Sequence, residues 1–340
     1  MTSFGRYLCY LLKKSWLRTG VFTVMGILVT RIATMTGNLA SVQYRDVGLA
    51  MHATVLAVVC TLIPMLELSA FKNRRNLDTL YFFPIKRSKM ALAHYIGGFL
   101  QVVTVYSIPF FSAWIYLALQ TNYFALGYML PYYLLSLLVG LVMYSFFMFI
   151  FGQANTVADG VLFSFLWAFA FYAILIAVQS IVPDEIGWSK WNAVQNWGIV
   201  YASINNLTVI FQQLIQINQQ GYDYIPGFVR YAEIYRELWW LFVVWGAIGI
   251  ASAAGYFVFF CRKGAEKAGE ISDSFLGYRL LIPLYGYCLL IFMRDLNILT
   301  AVVLAMMAVG YVIYRRSFRF SIRDYTVMGV GVLVALLAAW

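Results

Sequence analysis

Nine apolar runs constrain this chain of 340 residues more than any other feature: 19–36, 49–71, 90–118, 127–151, 160–182, 238–261, 279–293, 296–314 and 326–340. About 20 apolar residues at 1.5 Å each cross a hydrocarbon core of roughly 30 Å. Inside lipid a backbone has to satisfy its own hydrogen bonds, so each run is expected to be a helix. The expected fold class is therefore an all-α integral membrane protein, a polytopic bundle of about nine transmembrane helices. With 63% hydrophobic and only 11% charged residues, lipid is the solvent for most of the surface. The seventh run is short and is expected to borrow a turn from Phe275 to Tyr278 while Arg279 snorkels, then to form a tight hairpin with the eighth through Arg294 and Asp295. The ninth stops at Trp340 without a polar flank, so the native chain is expected to continue, on the outside.

The cations set the orientation. With the N-terminus inside, the inner segments carry 18 Lys and Arg, six of them between residues 72 and 89, and the outer segments carry 5. Positive residues stay on the cytoplasmic side, which places 71–90 and 262–279 in the cytoplasm and the connection 183–237 outside. The net charge of +10 sits at the ends of apolar runs and forms no continuous face. Anionic lipid headgroups, not nucleic acid, are the partners this pattern predicts.

Between Phe4 and Arg18, a spacing of 100° per residue puts Phe4, Tyr7, Leu8, Leu11, Leu12 and Trp16 on one arc, with Arg6 and Lys13 opposite. This predicts an amphipathic helix in the inner-leaflet interface, covering 1–18; a plain extension of the first span is the alternative. No small-residue cleavage site follows the first run, so that span is expected to be retained. The outer connection carries Trp188, Trp191 and Trp197, then an apolar stretch broken by Asn205, Asn206, Gln212, Gln213 and Gln216. That is too polar to face lipid, and short helices dipping into the outer leaflet, either a plug or a packed cap, are expected. Asn206-Leu207-Thr208 matches a glycosylation sequon by pattern.

Several chemistries lack their residues. Cys9, Cys60, Cys261 and Cys288 show no paired spacing and read as small apolar residues. The two histidines, His52 and His94, belong to the second and third runs near opposite membrane faces and read as hydrogen-bonding residues. No nucleotide-binding G-x-x-x-x-G-K-[ST], H-E-x-x-H or G-x-S-x-G occurs, so no cofactor and no catalytic residue is expected in this chain.

The segment FKNRRNLDTLYFFPIKRSKM, residues 71–90, holds an aromatic core that a solvated charged loop would have no reason to keep. Glu67, Asn76-Leu77-Asp78 and Tyr81-Phe82-Phe83-Pro84-Ile85-Lys86-Arg87 resemble the segment by which permease subunits of bacterial ABC-2 type ABC transporters engage their ATPase. Arg262-Lys263 with Glu266-Lys267-Ala268-Gly269-Glu270 resembles the stretch after the sixth span in the acetoin-utilisation and antibiotic-peptide subgroup. The order of parts is similar too, well to about residue 275 and more loosely over the last three spans. The resemblance implies an N-terminal interfacial helix (1–18), a six-span core (19–261), a cytoplasmic linker (262–278) and three further spans (279–340).

It further implies a multi-pass permease of the bacterial plasma membrane, N-terminus cytoplasmic, working with ABC ATPase subunits that carry ATP and Mg and with a second permease copy or a homologous one. The cargo would be a hydrophobic or amphipathic compound or peptide, exported. In that setting Leu77, Leu80, Tyr81 and Phe83 are expected to supply buried anchors, with Arg74, Arg75, Lys86 and Arg87 pairing with acidic rim residues. Asp78 belongs to the same segment, and Pro84 ends its short helix. The other reading of this segment is a re-entry turn lying in the interface. Glu67 is expected to brace the segment by pairing with Lys72 or Arg75. Arg31 is either an intramembrane functional cation or a snorkelling one. Asp159 either lies in a second ATPase-facing turn or caps the fifth span. The competing classes are an ion-coupled secondary transporter, which would want midplane carboxylates or broken helices in repeated halves, and a sensor or anchoring subunit of an ATPase complex.

Overall fold

The computed structural model describes residues 3–38, 45–73, 85–121, 126–181, 199–220, 239–293, 298–315 and 317–338. Apart from short turns these are helices: α1 (Ser3–Asn38), α2 (Arg45–Ser69), α3 (Arg87–Thr121), α4 (Leu126–Gln153), α5 (Val157–Ile181), α6 (Ala202–Gln220), α7 (Trp240–Arg262), α8 (Leu280–Met293), α9 (Ile298–Arg315) and α10 (Ile322–Ala338). A 3₁₀ turn, Ala70–Lys72, extends α2, and a π turn, Phe275–Arg279, leads into α8. Seven of these segments are long and apolar enough to cross a membrane: Leu49–Lys72, Arg87–Tyr116, Gly127–Gln153, Val157–Ile181, Trp240–Arg262, Phe275–Met293 and Ile298–Arg315. The first run lies within α1, and residues 326–338 of the ninth lie within α10. The described residues are thus all-helical, as in a multi-pass membrane protein.

The amphipathic stretch 4–18 is not a helix of its own. It is the N-terminal part of the single 36-residue helix α1, with no turn before the first apolar run. Nor is its apolar arc one surface: Tyr7 and Leu11 are buried, whereas Trp16 is 69% exposed.

The chain divides into two compact units. The first holds α1–α3, α4 up to Phe149, α6 from Ser203, and α7. There α1 packs along α3, α2 packs against both, and α7 joins through α3. Contacts give the directions. Tyr7 meets His94 and Gly26 meets Pro109, so α1 and α3 run parallel. Glu67 meets Gln101 and His52 meets Phe110, so α2 is antiparallel to α3; Tyr144 on Tyr95 and Tyr106 on Ser136 make α4 antiparallel to it as well. Close approach needs Gly26, where a methyl group would stand 2.9 Å from the Pro109 ring. Small residues permit such approach in membrane helices, where dispersion contacts replace the hydrophobic effect.

In the second unit α8 is central, packed by α5, α9 and α10. Trp167 Nε1 donates to Leu276 O at 2.8 Å and Ser180 Oγ to Ile291 O at 3.3 Å, which makes α5 and α8 parallel. Gly286 against Met307 and Gly310 against Ile282 make α9 antiparallel to α8. Within each unit, therefore, consecutive apolar runs alternate in direction.

Candidate functional site

The first unit buries an ionic cluster. Glu67, 7% exposed, stands in the last turn of α2 facing α1 and α3. Its carboxylate forms an ion pair with Arg18 of α1 and accepts from Gln101 Nε2 of α3 at 2.9 Å. Arg18 Nη2 also donates to Gln101 Oε1 at 2.7 Å. His94 Nδ1 lies 3.0 Å from the other carboxylate oxygen, and His94 Nε2 lies 3.0 Å from the Tyr7 hydroxyl. An ionised carboxylate only accepts, so Nδ1 donates to Glu67, and Nε2 shares a hydrogen bond with the Tyr7 hydroxyl. Burial, with Glu67 nearby, pushes the Tyr7 hydroxyl well above its ordinary value, which keeps it protonated. One cation and one anion compensate each other, and three helices are tied at one level.

This corrects the expected pairing of Glu67 with Lys72. Five residues along a helix turn a side chain by about 140°, so the two point to different sides. Lys72 instead donates to Ala154 O and lies 4.8 Å from the Phe151 ring centroid, within the second unit. Arg75, the alternative partner, lies outside the described residues.

Next to this cluster is a hydrophobic one, formed by Tyr7, Leu11, Met90 and Ala93 with Phe4, Phe71, Ile85 and Phe260 packed on it. Phe71 makes edge contacts with His94 at 4.9 Å and with Phe260 at 5.0 Å. Arg87 Nη1 donates to Lys263 O at 3.2 Å. Phe71 and Ile85, both residues of the segment 71–90, are thus seated in one cluster shared by α1, α3 and α7. Of the residues assigned to coupling, Lys86 and Arg87 are described and exposed. Arg74, Arg75, Leu77, Asp78, Leu80, Tyr81, Phe83 and Pro84 lie outside the described residues.

In the second unit the turn before α5 binds the chain that follows α7. Thr156 caps α5, its Oγ1 accepting from Asp159 N at 3.1 Å, so Asp159 occupies the first turn and is not the cap. Its carboxylate accepts from Ser272 Oγ at 2.6 Å and from the Tyr278 hydroxyl at 2.7 Å. Asn155 completes the join: its backbone N–H donates to Ser272 Oγ at 2.8 Å, its Nδ2 to Ile271 O at 3.1 Å, and its carbonyl accepts from Gly269 N at 3.0 Å. The stretch singled out at 262–270 now has a physical reason. Ala268 is 5% exposed, and Gly269 has φ +78°, a conformation that favours glycine. Arg279 forms an ion pair with Asp273.

Toward the other end of the first unit, Arg31 stacks on the Tyr116 ring at 4.2 Å, a packed position between the two roles expected for it. Helix α6 comes from the connection 183–237, and Ser203, Ile204, Asn206, Leu207, Thr208, Phe211 and Gln212 are all buried on it. Asn206, 1% exposed, is closed to modification in the folded protein. The remainder of that connection, 182–198 and 221–238, lies outside the described residues.

Sequence reasoning missed the partnership of Arg18, Glu67, His94, Gln101 and Tyr7. One signal was available: Tyr7 and Arg18, eleven apart, and His94 and Gln101, seven apart, each fall within about 20° on their helices. Two polar stripes on otherwise apolar helices ask for each other. No protein-family model matches this chain, and no curated protein matches it either.

Proposed function

We propose that this chain is the membrane permease subunit of an ATP-driven transporter of the ABC-2 type, in the bacterial plasma membrane. It crosses nine times from a cytoplasmic N-terminus, pairs with a second permease copy or a homologue, and is energised by separate ATPase subunits that hold ATP and Mg. It exports a hydrophobic or amphipathic compound or peptide. The observation that carries this reading is the mounting of the segment 71–90: Phe71 at its start and Ile85 within it both pack into the cluster of Tyr7, Leu11, Met90 and Ala93. A push on the segment would therefore reach α1, α3 and α7 together, and α2 through Phe71. The buried tie of Glu67 to Arg18, His94 and Gln101 stiffens that mount. Alternating helix directions within each unit support successive crossings, and 18 inner against 5 outer cations support the orientation.

The test is double substitution of Tyr81 and Phe83 by Ala. Aromatic anchors at interfaces are worth at least about 2 kcal/mol each, so one loss alone weakens ATPase binding roughly thirtyfold. The variant should insert at normal abundance while the copurifying ATPase is lost, or its hydrolysis ceases to respond to the permease. Charge reversal at Arg74 and Arg75 should act more mildly and with salt dependence. Retained ATPase with unchanged transport would reject the coupling role.

A further inference from the structure

The second unit carries an exposed basic and aromatic turn that the permease reading does not use. Between α9 and α10 the chain reads RRSFRFSIRDY, residues 315–325, with four arginines and one acid. That acid is already matched. Asp324, 3% exposed, accepts from Arg315 Nη2 at 3.0 Å and from Ser321 N at 2.8 Å, and Arg315 Nη2 also donates to Ser321 Oγ at 2.8 Å. Ser317 Oγ accepts from Arg319 N at 3.0 Å, and the Phe320 and Tyr325 rings meet at 5.7 Å. The turn is therefore held in shape from within. What it presents outward is Phe318, Ile322 and Tyr325, 87%, 83% and 61% exposed, together with the exposed Arg319 and Arg323. No acid pairs with either of these arginines among the described residues.

Two observations say what covers this surface. Exposed apolar stripes reach it along both helices: Val302, Met306, Val309 and Ile313 on α9, and Ile322, Tyr325, Val332 and Leu336 on α10, at spacings of three, four and seven. On spans of a multi-pass protein such stripes face hydrocarbon, so the turn stands where they leave it, at headgroup level, the place of aromatic and basic side chains. Moreover, Arg323 is the second residue of α10, at the positive end of that helix, where a cation is unfavourable and a phosphate favourable.

We propose that the α9–α10 turn binds an anionic phospholipid of the inner leaflet, its phosphate on Arg319 and Arg323 and its acyl chains against Phe318, Ile322 and Tyr325. Guanidinium forks match phosphate oxygens in geometry as well as charge. An acidic protein surface would match the arginines but not apolar residues continuous with hydrocarbon-facing stripes. The site goes beyond the permease reading and shares with it only the orientation that puts residues 315–324 inside.

The experiment uses the purified full chain in phosphatidylcholine nanodiscs doped with a diazirine-bearing phosphatidylglycerol. Labelling of residues 309–325 should be displaced by unlabelled phosphatidylglycerol, and not by added phosphatidylcholine or by free glycerol phosphate. Arg319→Gln with Arg323→Gln should lower it about 25-fold, about fivefold for each basic residue lost, while lysine at both positions keeps most of it. Both side chains are exposed, so unfolding midpoints in phosphatidylcholine should not move, and the wild-type competition tests the site without any variant. Equal displacement by the two lipids, displacement by glycerol phosphate, or labelling indifferent to the double Gln substitution overturns the proposal. In cells, Phe318→p-benzoylphenylalanine should crosslink to phospholipid; a crosslink to a protein instead rejects lipid as the occupant. No ATPase takes part, so these results stand whether or not the segment 71–90 couples to one.

Discussion

Arg18 and Glu67, 49 residues apart, form an ion pair between α1 and α2, and the carboxylate keeps only 7% of its surface exposed. The same carboxylate is bonded from α3, so a single acidic residue ties the first three helices of the chain together.

Removing one partner should therefore cost more than removing both. Arg18→Met leaves an uncompensated buried anion and should destabilise the detergent-purified protein by about 3 kcal/mol, the low end for a broken buried pair because Arg18 is partly exposed. Adding Glu67→Leu to that variant should recover most of the loss. A double variant less stable than either single in thermal unfolding would show that the cluster holds the helices by something other than charge compensation.

Asp159 makes a local prediction. Asp159→Ala leaves the Ser272 and Tyr278 hydroxyls without their charged acceptor, at about 1.5 kcal/mol or more for each bond. Amide hydrogen exchange across residues 269–278 should quicken by at least about tenfold, with α1–α3 unchanged. Unaltered exchange in that stretch would mean that the Asn155 bonds suffice to hold it.

Two glycines five residues apart should behave oppositely. Gly269→Ala forces a side chain into φ +78° and should cost about 1–2 kcal/mol. At Gly264 an added Cβ meets nothing within 4 Å, so Gly264→Ala should be within about 0.5 kcal/mol of neutral. Equal unfolding midpoints for the two variants would remove the backbone explanation for the 262–270 stretch.

Orientation is open to direct chemistry. In a cysteine-free background, Ser189→Cys should react with an impermeant maleimide from outside intact cells, and Gly264→Cys only after permeabilisation. Equal labelling of both in intact cells would reject the proposed threading.

The helical, membrane-spanning character of this chain was legible in its sequence, because a backbone in lipid has one local solution and hydropathy alone reveals it. The runs at 127–151, 160–182 and 238–261 correspond to Leu126–Gln153, Val157–Ile181 and Trp240–Arg262. Phe275 to Tyr278 do lead into the seventh run, as a π turn. Partner choice was not legible. Helical periodicity says which residues share a face and nothing about which helix that face meets. Hence the sequence offers Glu67 its neighbours Lys72 or Arg75, whereas packing gives it to Arg18, His94 and Gln101. The cap of α5 went to Thr156 and not Asp159 for the same reason: the carboxylate was claimed by Ser272 and Tyr278, over a hundred residues away in the chain. The sequence by itself determined where the chain becomes helical, since that depends on each segment and its solvent. Only the tertiary structure decided which polar groups are matched and which, like His52 Nδ1, have no partner among the described residues, because hydrogen bonding between helices depends on rotation and depth that no single helix encodes.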